Sequence, residues 1–397
     1  MSLYNSYGLS ILISDPLWGA VRSPQGLPIR EQLQSWEHEI NVDGGYKSAK
    51  AVLTGHDLNL TDFMETGLGR HVEFYDPSLS RRWEGFVDKV SINFAGLSVV
   101  RGPLTGVANR VLVAYTPYVD LTVDPPTTGA ETITTFAEDT ESQDKYAIHE
   151  EVVSGGTLMD DATVVSSGSP DNEAEALRDA YLAEMKYPET SQELSLGGGE
   201  PVPSITLDCL GYSAFFGRYL YDSTNNLTVT HTTKITNVLG GDPNSIFSTD
   251  HTYIEDNAML TTDYEDQYRT AESILKELVV KGNASAERMI LGVYNDRVVR
   301  YETIPSTVEY LHEIGRRGDQ LFRTMDSRPI EPWAMLPGKW IFLSTILIGK
   351  SQIDTLREDP RNMFIESVRY RAPFDVELNG SKTGRIAQIL AQKGLST

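Results

Sequence analysis

A single cysteine, Cys209, stands in 397 residues. One thiol cannot form an internal disulfide, so oxidative cross-links do not hold this chain. It sits in the apolar run Ile205-Thr206-Leu207-Asp208-Cys209-Leu210, which predicts a small buried hydrophobe and not a nucleophile. Long apolar runs are missing too. The best, Trp340 to Ile348, is about half the roughly 18 residues of a membrane span and reads as a buried strand. Met1-Ser2-Leu3-Tyr4-Asn5 has no basic segment leading into an apolar one, so the chain is expected to be made in the cytosol without export. The Asn-x-Ser/Thr triplets at Asn59, Asn226 and Asn283 then carry no meaning as glycosylation sites. Positive charge is scarce: 34 Lys and Arg against 56 Asp and Glu give a net charge of −22. Such a surface repels phosphates and anionic lipid heads, which argues against nucleic-acid binding as a main role. Solubility is the plain reading of that charge, and adaptation to salty surroundings the sharper one.

Catalytic patterns are missing as well. His38, His56, His71, His149, His231, His251 and His312 are scattered. Neither His38-Glu39 nor His149-Glu150 is followed by a second histidine at metal-ligand spacing. No G-x-S-x-G elbow and no calcium loop occurs. Gly380-Ser381-Lys382-Thr383-Gly384 lacks the order of a phosphate loop and reads as a polar turn. Carboxylates are so numerous that pairs such as Asp160-Asp161, or Glu193 with Glu200, do not single out a hydrolase. No catalytic, cofactor-binding or metal-ligating residue is assigned, and no enzyme activity or cofactor is expected.

What is present is strand pattern. Residues 1–118 alternate in short runs punctuated by turns: Asp43-Gly44-Gly45, Asp76-Pro77-Ser78 and Ala95-Gly96. Trp36, His38, Ile40 and Val42 share one face, and Asp57 to Glu65 is a short helix candidate. Residues 119–170 are rich in Thr, Ser, Asp, Glu and Pro and predict a polar insertion or long loop. Residues 171–262 predict a mixed α/β domain. Its first helix carries Ala174, Leu177, Tyr181 and Met185, with Ser169 as cap and Pro188 as stop; a second runs from His231 to Leu239. Residues 263–397 predict a second β domain with flanking helices, Thr270 to Lys281 and Thr383 to Gln392. Between them, Arg369 and Arg371 interrupt an apolar alternation, so one side of that strand is wet or meets a partner. Trp36, Trp83, Trp333 and Trp340 are read as core, with sugar-binding platforms as the alternative. The fold class is mainly β with an α+β middle segment.

Gly67-Leu68-Gly69-Arg70, Val72-Glu73-Phe74, Trp83-Glu84-Gly85-Phe86-Val87 and Asn109 to Val113 together resemble the opening barrel of tail hub proteins from tailed phages. Leu291 to Tyr301, Pro337-Gly338 and Asp359-Pro360-Arg361 are similar to their later β domain. The resemblance implies two tail-tube-like β-barrel or sandwich domains plus the mixed α/β domain. It implies a structural protein of the virion tail, a baseplate or tail-tip hub that closes the distal end of the tail tube and lets DNA pass during ejection. The implied assembly is a homotrimer, touching the tail tube or distal tail ring protein, the tape measure protein and a tail-tip or fibre protein. The alternatives are a hexameric distal tail ring protein, a carbohydrate- or receptor-binding tail-tip module, and a hydrolase.

Overall fold

The computed structural model describes residues 8–18, 32–194, 202–221, 228–262, 269–314, 320–331, 334–343, 362–372 and 375–381. The chain is mainly β. Its first strands are β1 (Ser10–Ser14), β2 (Leu33–Asn41), β3 (Gly44–Thr54), β4 (His71–Tyr75), β5 (Arg81–Phe94) and β6 (Leu97–Arg101). Then come β7 (Arg110–Asp120), β8 (Glu150–Leu158), β9 (Thr190–Leu194) and β10 (Ser204–Leu210). The last are β11 (Met289–Tyr294), β12 (Val298–Thr303), β13 (Val308–Ile314), β14 (Gln320–Thr324), β15 (Trp340–Leu343), β16 (Asn362–Arg371) and β17 (Asp375–Ser381). All but β7 and β8 join in one sheet of 15 strands among the described residues. That sheet runs through the expected first and last β blocks without a break, because β2 pairs antiparallel with β16 and β3 pairs briefly with β11.

The turns form where residue chemistry allows positive φ. Gly44 (φ 111) and Gly45 (φ 75) open β3 directly after the Val42-Asp43 turn, and Ala95 (φ 49) and Gly96 (φ 85) link β5 to β6. Between β4 and β5 the Asp76 carboxylate accepts from the backbone N–H of Ser78 and Ser80 at 2.8 and 2.9 Å.

Among the described residues five α-helices accompany the sheets: α1 (Leu60–Thr66), α2 (Thr140–Tyr146), α3 (Glu173–Met185), α4 (His231–Gly240) and α5 (Ala271–Lys281). Each starts where a short polar side chain caps it. Asn59, Asp139, Asn172, Thr230 and Thr270 accept from the third residue onward. The cap of α3 is thus Asn172, not Ser169: its side chain accepts from Glu175 N at 3.0 Å. Trp333 and the expected helix from Thr383 to Gln392 lie outside the described residues.

Residues 119–170 hold α2, β8 and three two-residue strands beside β7, where the sequence predicts a polar insertion or long loop. β8 runs parallel to β7, from Glu150 opposite Arg110 to Leu158 opposite Pro117. The small core there is Val113, Tyr115 and Ala174 with Val153, Leu158 and Leu177. Most of that apolar surface comes from β7 and α3, outside the polar segment, so the segment read alone shows no partner for its strand.

Under the large sheet lies the main core. Trp36 stacks on Phe74 (centroids 4.7 Å, interplanar 4°) and meets Trp83 edge-on at 5.6 Å. Both tryptophans are almost fully buried, as is Trp340.

Candidate functional site

Eight strands lie side by side in the order β9–β6–β5–β10–β3–β2–β16–β17, each pair antiparallel. One face of this row is the core side, carrying Val90, Ile92, Ile205, Leu207, Cys209, Ala49, Ala51, Leu53, Trp36, His38, Val368 and Tyr370, all buried. Period-two geometry sends the intervening residues to the other face. That face carries many hydroxyls and charges and, among the described residues, no exposed aromatic ring; Phe364, which the bulge in β16 turns to this side, is fully buried against Trp340. Across the strands, Lys89 stands opposite Asp208, Asp208 opposite Lys50, Lys50 opposite Glu37, Glu37 opposite Arg371, and Arg371 opposite Asp375. The charge alternates in sign at every step. A second rank follows, with Glu39 between Ser48 and Arg369, and Arg369 beside Glu377.

The ladder crosses the junction between the first and last β blocks. Arg371 reaches Glu37 at 3.4 Å and Asp375 at 3.2 Å, and Arg369 reaches Glu39 at 3.8 Å. The wet side of β16 predicted from Arg369 and Arg371 therefore meets β2 of the same chain. The acids Glu37, Glu39, Glu193, Asp208, Asp375 and Glu377 only slightly outnumber the bases Lys50, Lys89, Arg369 and Arg371 on this face. The large net negative charge of the chain resides mostly elsewhere. A trough of about 230 Å³ lies between Glu37, Glu39, Lys50, Asp208 and Arg369.

The glycines and aromatics of the hub-like motifs have a structural reason. A Cβ on Gly85 would stand 2.2 Å from the Leu210 carbonyl oxygen and 2.4 Å from the Trp83 ring. Gly69 (φ 78) leaves room for the Trp18 ring, and its N–H donates to the Val87 carbonyl at 2.8 Å. Gly45 and Gly292 let β3 and β11 touch: a Cβ on Gly45 would lie 2.3 Å from the Val293 carbonyl oxygen.

Beneath the row sit buried ionisable groups. His38 accepts from the Trp36 indole N–H at 2.8 Å, and burial pushes its pKa down to about 3. Burial, with the charge of Arg218, does the same to His149, whose Nδ1 lies 2.9 Å from the Arg218 guanidinium. Both rings are neutral at pH 7. Arg81 bridges Glu73, Glu84 (3.3 Å) and Asp296 (2.6 Å). Burial raises Glu84 to about 7 against the opposing pull of Arg81 and the Asp296 N–H. Burial also acts to raise Glu73, but hydrogen bonds from His71 and Tyr75 and the Arg81 charge outweigh it and leave Glu73 at about 2. These groups tie the turn after β11 to β4 and β5, and they lie apart from the wet face. Cys209 is buried, and burial pushes its thiol well up, so it has no nucleophilic character.

Among the described residues no three His, Cys, Asp or Glu cluster closely enough to hold a metal ion. No described helix is long and apolar enough to cross a membrane. A larger groove, about 520 Å³, lies between α5 and β3, lined by Leu275, Val279, Val280, Phe216 and Leu291 together with Asp43, Lys47 and the Glu272–Lys276 ion pair at 2.6 Å.

No protein-family profile and no curated protein matches the chain. Solved structures similar to it include the tail protein from Neisseria meningitidis MC58, at 9% identity and TM-score 0.40, covering 96% of this chain and 99% of that one. The 43 kDa tail protein of prophage MuSo2 from Shewanella oneidensis aligns at 8% identity and TM-score 0.41, over 96% and 98%. Prophage tail protein gp18 from Listeria monocytogenes EGD-e aligns at 7% identity and TM-score 0.37, over 97% and 99%.

Proposed function

We propose that this chain is a non-enzymatic structural protein of a phage tail, a hub that forms a ring at the distal end of the tail tube. The observation that carries the reading is the eight-strand antiparallel row with a wet face, free of exposed aromatic rings among the described residues, and an unpaired edge at each end. Among the described residues β9 pairs only with β6, and β17 only with β16. An unpaired edge is a template for another strand. Joining β17 of one copy to β9 of the next is a head-to-tail contact, which closes into a ring when the rotation allows.

Three copies supply roughly two dozen strands, and at the usual spacing and tilt such a barrel is about 45–50 Å across between backbones, wide enough for a duplex to pass. The alternating charges and hydroxyls then face the channel. Near charge balance, with no ring to stack on a base, such a wall offers a passing polyanion little to hold. In this reading two tube-like β units are joined through β2 and β16, the first of them completed by β9 and β10 from within residues 171–262.

The test is a pair of cysteines at the two edges, Ser191→Cys with Asn379→Cys in a Cys209→Ala background. Oxidation of the assembled protein is expected to give a covalent ladder that ends at three copies. A ladder ending at six indicates the distal-ring alternative. A protein that stays monomeric, with both thiols freely modified, overturns the ring.

A further inference from the structure

Arg300, on β12, is a cation without a carboxylate. Its guanidinium carbon lies 4.8 Å from the Tyr253 ring centroid and 5.2 Å from that of Tyr294. Two aromatic rings thus hold its plane in place. Arg81 is committed to Glu73, Glu84 and Asp296, and Arg82 to Asp76 at 2.7 Å. Arg300 forms no ion pair among the described residues.

These three arginines line one cavity of about 90 Å³, together with Tyr46, Tyr294 and Asn295. The Nε–H groups of Arg81 and Arg300 are both buried with no hydrogen-bond acceptor. A buried donor left unpaired costs roughly 1–3 kcal/mol, so donors here outnumber the acceptors the fold supplies. The volume is small beside the roughly 300–1,000 Å³ of a pocket for a larger ligand, which suits one small oxyanion better than a sugar or a nucleotide. In a chain of net charge −22 the gathering of arginines at one small cavity runs against composition.

We propose that this cavity binds a single oxyanion, a carboxylate or phosphate group, with Arg300 as the anchoring residue and the unpaired Nε–H of Arg81 in support. The planar fork of a guanidinium pairs with two oxygens at once, which an ammonium cannot do. The site does not depend on ring formation.

The experiment is thermal unfolding of the full chain titrated with inorganic phosphate, and separately with acetate, at ionic strength held constant with chloride. The expected result is a saturable rise in midpoint with at least one of the two. The half-saturating concentration should rise tenfold or more in Arg300→Gln. Arg300→Lys should show an intermediate loss, and Arg323→Gln, on the remote β14, no change. A response to phosphate identifies a free small oxyanion as the ligand; a response to acetate alone identifies the carboxylate of a neighbouring polypeptide. If Arg300→Gln does not fold, Arg300→Lys carries the same comparison with a smaller shift. The proposal is overturned if neither anion gives a saturable response, or if the folded variants respond as the unaltered protein does.

Discussion

Glycine decides the tightest contacts. At Gly292 an added Cβ would stand 2.6 Å from the Gly45 nitrogen and 2.8 Å from its Cα, both backbone atoms that cannot step aside. Gly292→Ala is therefore expected to destabilise the protein by about 2–3 kcal/mol, read as a lower urea midpoint at unchanged slope. The tryptophan-glycine motif at Trp83 to Val87 is visible in the sequence, but its cause is not. The carbonyl that crowds Gly85 belongs to Leu210, a residue far along the chain that only folding brings near. His38 is different: its place in an alternating run already turned it to the apolar side, and the structure adds only the indole that donates to it. Arg300 gave no local signal, because what marks it is the lack of an acid in space, and the neighbouring Glu302 in sequence does not supply one.

At the scale of elements, local chemistry was the readable part. Hairpin turns, caps and glycine stops act within a few residues, so helix α5 was delimited by Thr270 and Gly282 before any contact was known. The Thr270 hydroxyl accepts from Ser273 N at 3.3 Å, and Thr270→Ala is expected to cost about 1 kcal/mol in global stability by denaturant titration. Strand pairing was less readable. Nothing in β2 alone announces β16 as its neighbour, and the parallel partnership of β7 and β8 hides because its apolar partners lie outside the polar stretch. The charge ladder makes little energetic claim. Its ion pairs at Arg371 are about half exposed, so each contributes well under 1 kcal/mol. Its importance is the character of the face, not its strength.

For the molecule as a whole, acid is the informative variable. His38 and His149 are neutral in the folded chain and take up protons on unfolding once pH drops below their ordinary 6.5. Their stabilisation is complete above that pH and declines as pH falls toward 3. Glu84 has the opposite sign: its raised pKa favours the folded state as pH falls from about 7 toward 4.5. His38 and His149 set against Glu84 alone give a loss of about 1 kcal/mol from pH 7 to 5.5; buried His71 and His231, also shifted down, add to it, and Asp88, Glu150 and Asp242, whose carboxyls burial raises, offset it. Urea unfolding at the two pH values of the unaltered protein and of His38→Gln isolates that ring: the variant is expected to lose less stability at pH 5.5, and an equal loss would contradict a neutral buried His38. The junction of β2 with β16 carries a further consequence. It is closed within one polypeptide, so it persists at any dilution, whereas a joint between separate molecules depends on concentration. A cylinder made from such double units has half as many free bodies to immobilise as one built from single units. Its assembly therefore incurs correspondingly less loss of translational and rotational freedom.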